Sequence, residues 1–90
     1  NPRAGLLMIA SNLPELETGK TYQMWVIPKG EGAKPKPSGL FKRDTTGGAV
    51  HFVTGPVDLA QTFAFAVSVE PETGSQQPTT QPIIVAPVGP

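Results

Sequence analysis

The sequence predicts an all-β fold, a small antiparallel β-sandwich of about six or seven short strands. Apolar runs rich in β-branched and aromatic residues recur at intervals of roughly 8–12 residues, with turn-forming residues between them. No window shows the sustained period of about 3.6 residues that a long helix would need. The 10 Gly and 11 Pro lie mostly between the apolar runs, as expected of turns. A chain of 90 residues forms one domain, which we assign to residues 1–90.

The first predicted strand, residues 6–10, is an uninterrupted apolar run that stops at Ser11. The second covers residues 21–27. Gly19 precedes it in a predicted turn, and Pro28 ends it because proline cannot donate a hydrogen bond to a central ladder. Both faces of this strand carry apolar side chains. We therefore expect it near the middle of a packed sheet.

A loop of Gly, Lys and Pro follows, and residues 39–42 form the third predicted strand. Residues 44–48 contain Asp, two Thr and two Gly, a composition typical of a hairpin. That hairpin leads into the fourth predicted strand, residues 49–53. Residues 57–61 then form at most one helical turn.

Residues 63–69 show the clearest alternation in the chain. Phe63, Phe65, Val67 and Val69 share one face, which we predict to be core. The other face, continued by Glu70, carries small side chains and leaves room for a covering element. Residues 71–74 form a turn, residues 73–81 are the part expected to be mobile, and residues 82–86 form the last strand.

Composition excludes several classes of function. Seven basic residues balance seven acidic ones, so the domain lacks the field expected of a protein that binds nucleic acid. The lysines at 29, 34 and 36 are interpreted as a solvated loop. The chain has no Cys, which excludes disulfides and thiolate sites. Its apolar runs are far shorter than the roughly 20 residues that span a bilayer.

The titratable residues do not suggest catalysis, and we predict that the chain is not an enzyme. His51, the single histidine, is expected to face solvent from a strand. Asp44, Asp58, Glu70 and Glu72 lie in separate segments near turns, where carboxylates usually bind backbone groups. We therefore assign no catalytic, cofactor-binding or metal-binding residue and expect no cofactor.

Trp25 allows two interpretations. Exposed, it would stack on a sugar or a peptide ligand. Buried, it would fill the core beside Phe52, Phe63 or Phe65, and this second interpretation is favoured for a lone Trp in a central strand.

Three segments together carry a resemblance to a known family. The first is Leu-Pro at 13–14 with Gly-Lys-Thr-Tyr-Gln-Met-Trp-Val-Ile at 19–27. The second is Ser-Gly-Leu-Phe at 38–41. The third is Phe-Ala-Val-Ser-Val-Glu-Pro at 65–71, followed by Gly-Ser at 74–75, Pro-Thr at 78–79 and Pro-Ile at 82–83. In these segments the chain resembles the C-terminal domain of the anti-sigma-K factors (RskA family). The resemblance covers about residues 4–86, with Met24 in place of the usual Leu and a longer lysine-rich loop.

The resemblance implies an extracytoplasmic sensory or regulatory domain of a membrane-bound anti-sigma factor, which controls sigma-factor release through regulated proteolysis. It implies that the sigma factor binds a separate cytoplasmic domain, and that this chain is a fragment without that domain or the transmembrane helix. A membrane protease or a periplasmic or cell-surface protein is then the candidate partner, with no nucleic acid involved. The alternative is a fibronectin-like cell-surface module that binds a ligand or carbohydrate.

Self-association is a further expectation. Family members usually carry strand-like sequence before the position of Asn1. Without it, the strand at 6–10 would have an open edge, which favours homo-oligomers by edge-strand pairing. The strand at residues 82–86 would prevent this if it covered that edge.

Overall fold

The computed structural model describes residues 6–53 and 58–88, and it confirms an all-β fold of two antiparallel sheets. Its strands are β1 (Leu6–Ala10), β2 (Lys20–Pro28), β3 (Lys36–Phe41), β4 (Ala49–Val53), β5 (Thr62–Pro71) and β6 (Ile84–Pro87). A single 3-10 turn, Leu59–Gln61, precedes β5. Val57, the first residue of the predicted helical turn, lies outside the described residues. The described part contains no helix with the length and apolarity to cross a membrane.

The larger sheet has the strand order β3-β2-β5-β6, so β2 lies inside it as predicted. β2 extends the predicted strand by one residue at each end and stops at Pro28. Gly19, just before it, has a φ of +83°, a left-handed conformation that glycine adopts without steric cost.

β1 and β4 pair only with each other in the described part of the chain and form a separate two-stranded ribbon. The predicted hairpin between β3 and β4 is therefore wrong, because β3 pairs with β2. The turn itself exists: Asp44 N–H donates to the Gly48 carbonyl at 2.7 Å. It carries the chain from one sheet to the other, since turn composition specifies a reversal and not a pairing partner. The alternative that the last strand covers the edge of β1 does not hold, because β6 pairs with β5.

The core lies between one face of the larger sheet and the inner face of the ribbon. Its buried residues are Leu13, Tyr22, Met24, Phe41, Ala49, Val53 and Val67. The predicted large face of β5 contributes only in part, because Phe65 is half-buried and Phe63 is 60% exposed. The ribbon strands have five residues each and β5 has ten, so the ribbon covers only part of β5.

The small face of β5 is the more deeply buried one. Ala64, Ala66 and Ser68 are 0–3% exposed, and residues 72–82, here called the closing segment, are hydrogen-bonded to groups on this side of the sheet. The segment at 73–81, predicted to be mobile, is packed on the sheet in this structure. Polar composition suggested mobility, but the donors of this segment find acceptors on the sheet beneath it.

Candidate functional site

A carboxylate with no solvent exposure lies beneath the closing segment. Glu70 is 0% exposed, although it stands near the end of β5, next to the turn predicted at residues 71–74. The strand register places Thr21 opposite Glu70, Gln23 opposite Ser68, and Trp25 opposite Ala66. Directly opposite residues share a face of an antiparallel sheet. The burial of Glu70 therefore follows from the same alternation that buries Trp25.

Hydroxyl and backbone donors surround the Glu70 carboxylate. Ser68 Oγ donates to Oε2 at 2.5 Å, and Ser75 Oγ donates to Oε1 at 2.9 Å. The Thr79 side chain donates to Oε1 at 2.5 Å, and the Thr79 N–H lies 3.1 Å from both oxygens. Two of these three partners belong to the closing segment. One buried carboxylate thus anchors the closing segment at two points.

These contacts determine the ionisation of Glu70. Burial acts to raise its pKa, because a carboxylate loses hydration in the interior. The hydrogen bonds from Ser68, Thr79 and Ser75 oppose burial more strongly, so the pKa of Glu70 lies below its ordinary value. The group is therefore held as an anion, the form that accepts hydrogen bonds at both oxygens.

Trp25 is connected to the same carboxylate through Ser68. Its indole Nε1–H donates to Ser68 Oγ at 2.8 Å, and Ser68 donates onward to Glu70. Trp25 is 1% exposed, which confirms the buried interpretation. Of its predicted neighbours, Phe65 is wrong, because it pairs with Val26 and lies on the opposite face. A buried indole N–H needs an acceptor, and Ser68 supplies it.

Gln23 holds the closing segment at a second place. Its Nε2 donates to the Ser75 carbonyl and its Oε1 accepts from the Ser75 N–H, both at 2.9 Å. We call the connected set of side chains the clamp: Gln23, Trp25, Ser68, Glu70, Ser75 and Thr79. Every clamp residue lies in a segment that carries the family resemblance. The sequence therefore contained the clamp as separate motifs, without showing that they meet in space.

Two further contacts support the closing segment. Thr80 Oγ1 donates to the Val69 carbonyl at 2.8 Å, and Gly74 N–H donates to the Pro71 carbonyl at 2.7 Å. Gly74 has a φ of +84°. This left-handed conformation has little steric cost for glycine and a larger one for other residues. The closing segment therefore begins with a tight turn and then lies on the sheet.

The other carboxylates singled out in the sequence do not converge. Asp44 accepts from Thr46 and Gly48 within its own turn, and these hydrogen bonds lower its pKa. Asp58 caps the 3-10 turn, and Glu72 forms an exposed ion pair with Lys42 at 3.0 Å. Within the described ranges, no three His, Asp or Glu side chains are grouped as a metal would need.

His51 lies at the junction of the two sheets, so the expectation that it faces solvent is wrong. Its ring stacks on Phe41 with centroids 5.3 Å apart, and its Nε2 lies 3.1 Å from the Ser38 carbonyl. A Cβ at Gly39 would collide with the imidazole, which explains a glycine there. The junction borders an open cleft of about 540 Å³ lined in part by Lys36 and Phe52.

Comparison with known proteins adds two findings. The family model described as "Anti-sigma-K factor rskA, C-terminal" matches residues 2–83. A Streptomyces griseus protein described as "Uncharacterized protein in phr 5'region" is 32% identical over 77 residues, which is 86% of this chain and 30% of that protein. The chain thus spans about a third of the length of that relative. No solved structure gave a significant match.

Proposed function

This chain belongs to the family of anti-sigma-K factor C-terminal domains, and from that premise we propose that it is the extracytoplasmic regulatory domain of a membrane-bound anti-sigma factor. The observation that carries the proposal is the match over residues 2–83, which includes every residue of the clamp. The family agrees with the resemblance found in the sequence. The sigma factor itself would bind a separate cytoplasmic domain of the whole protein.

The proposed mechanism is control of proteolysis through folding. A protease cuts chain that is locally open, and the rate of cutting depends on the population of the open form. The clamp raises the cost of opening the closing segment, because release would leave Glu70 without Ser75 and Thr79, and Gln23 without the Ser75 backbone. A signal that opens the clamp would expose the chain to a membrane protease and so release the sigma factor.

We further propose that the domain acts without catalysis of its own. Its carboxylates are engaged by local donors, as at Asp44, Asp58 and Glu70. His51 is engaged by a backbone carbonyl. Trp25 is buried and offers no aromatic surface on which a sugar or peptide ligand could stack. A regulatory domain that works by its folded state explains these features without a substrate.

The mechanism is tested in the full-length anti-sigma factor, with a transcriptional reporter for its sigma factor. Glu70→Gln should increase both cleavage of the protein and the reporter signal, because it weakens the clamp. Glu72→Gln is the matched control, since the Glu72 side chain forms an exposed ion pair with Lys42. Equal reporter signals from both variants, in a protein shown to be destabilised by Glu70→Gln, would contradict the mechanism.

The location is tested separately in intact cells. Thr73 is exposed in the turn after β5, and the chain has no natural cysteine. In a full-length protein freed of any other cysteine, Thr73→Cys should react with a membrane-impermeant maleimide in intact cells. Val67→Cys, which is buried and outside the clamp, serves as the unreactive control. Labelling of Thr73→Cys only after lysis would refute the extracytoplasmic location.

A further inference from the structure

The ribbon of β1 and β4 exposes a contiguous apolar face. Its register pairs Leu7 with Phe52 and Ile9 with Val50, and directly opposite side chains lie side by side. Their exposed fractions are 52% and 58% for the first pair and 73% and 66% for the second. The four residues that meet on this face are therefore large, apolar and exposed.

The composition of the ribbon is that of strands covered on both sides. An antiparallel sheet with one solvated face usually alternates apolar and polar residues, whereas strands buried on both faces are apolar throughout. β1 reads Leu-Leu-Met-Ile-Ala and β4 reads Ala-Val-His-Phe-Val. Neither contains a charged residue, a proline or a bulge, the devices that keep exposed strands apart. One side of the ribbon packs on the core, and the other side is open to a further partner.

We propose that this partner is a second copy of the chain, with the two ribbons packed face to face about a two-fold axis. From their exposed fractions, the four residues expose roughly 450 Å² per copy. Patches of this size are in the range of the largest apolar patches on monomers, and such patches are often functional. Two copies would bury about 900 Å² from these residues alone. With a rim, this area approaches the roughly 1,000–1,200 Å² at which specific but weak interfaces begin.

Charge does not oppose this occupant. The chain has a formal net charge of +0, so two copies meet without long-range repulsion. An apolar patch without charges is also self-complementary, as the isologous contact of a two-fold dimer demands. This geometry differs from edge pairing of β1, because it buries side chains and leaves the backbone ladder unchanged. The proposal is independent of the anti-sigma function.

Light scattering over a concentration series tests the dimer. The purified chain, 9.4 kDa as a monomer, should approach twice that mass between about 5 and 500 µM, as expected for an interface at the low end of the size range. The double variant Ile9→Thr with Val50→Thr keeps β-branched side chains and strand propensity. It should dimerise at least tenfold more weakly. Val85→Thr, on β6 and also exposed, is the matched control and should dimerise normally.

Thermal melts and the fluorescence emission of buried Trp25 verify that each variant is folded. Val50→Lys is a second variant at the same face. A wild-type chain that stays monomeric at 500 µM would overturn the proposal. Dimerisation of the double variant with unchanged affinity would also overturn it and would indicate pairing at the strand edge. Equal weakening by Val85→Thr would place the contact on the larger sheet and overturn it as well.

Discussion

The side-chain amide of Gln23 and the backbone of Ser75 form a two-way hydrogen-bonded pair, 2.9 Å in each direction, between residues 52 positions apart. The amide offers the donor and the acceptor that a neighbouring strand would otherwise supply. It therefore holds the closing segment on the sheet where the strand ladder does not reach.

Replacing Gln23 with Met, which has a similar length, should release this pair. Ser75 would lose a partner for both its N–H and its carbonyl, and we expect a loss of about 1–3 kcal/mol in the free energy of unfolding. Denaturant melts measure the loss, and hydrogen exchange at the Ser75 amide should become faster. Gln77→Met is the control, because Gln77 is exposed and donates only to carbonyls. Identical melts for both variants would show that the pair contributes nothing.

Glu70 gives a prediction about pH. A Glu in the unfolded chain titrates near pH 4.3, about its usual value, and the pKa of Glu70 in the folded domain is lower. Between these two values the unfolded state binds more protons, so acid favours unfolding. The contribution of Glu70 is therefore complete above the unfolded pKa and is lost as the pH falls through the folded pKa.

Glu70→Gln should accordingly lower stability at neutral pH and flatten the dependence of stability on pH between about 5 and 2. Urea melts at a series of pH values measure both effects. Glu72→Gln should keep the slope of the wild type, because Glu72 is exposed and has only a surface partner. A Glu70→Gln slope as steep as that of the wild type would show that other groups cause the acid sensitivity.

Val67 and Phe63 lie on one face of β5 but differ in burial, so together they distinguish the effect of burial on stability from the effect of side-chain size. Val67 is 3% exposed and Phe63 is 60% exposed. Val67→Ala should cost about 2 kcal/mol, because it leaves a cavity in the core, while Phe63→Ala should cost less than about 1 kcal/mol. The smaller side chain should thus matter more. A larger loss for Phe63→Ala in denaturant melts would mean that another element covers Phe63.

The strands could be predicted from the sequence because alternation is a local property. The pairing could not, since the turn at Asp44 specifies a reversal and leaves the partners of β3 and β4 open. The core face of β5 was assigned by side-chain size, and size does not reveal how far the short ribbon reaches. For that reason Phe63 was misplaced while Val67 was placed correctly.

The clamp was missed for a related reason. Glu70 continues a face of Ala and Ser, and its carboxylate was interpreted as serving a turn. A signal was nevertheless present, because a small face leaves room for a covering segment and a buried carboxylate requires donors. Ser75 and Thr79 follow within ten positions and provide them. Reading these features together would have predicted the closing segment on the sheet.

Removal of metal should leave the domain unchanged. The chain has one His and no Cys, and its folding elements are held by hydrogen bonds and apolar contacts. The melting temperature should stay within about 1 °C when a chelator is added, because no ligand bound to the native state is lost. A control melt with added zinc or calcium should give the same melting temperature as the melts with and without chelator. A drop of several degrees with chelator would reveal a bound metal.

The purified domain should not bind the sigma factor of the whole protein. Its described part consists of strands and turns and contains no amphipathic helix to which a sigma factor could bind. The proposed location is also across the membrane from the sigma factor. Titration calorimetry of the domain with the cognate sigma factor should give only heats of dilution. The full-length anti-sigma factor in detergent is the positive control. Binding by the domain alone with a Kd of about 1 µM or lower, a binding free energy of about 8 kcal/mol or more, would overturn the proposed topology.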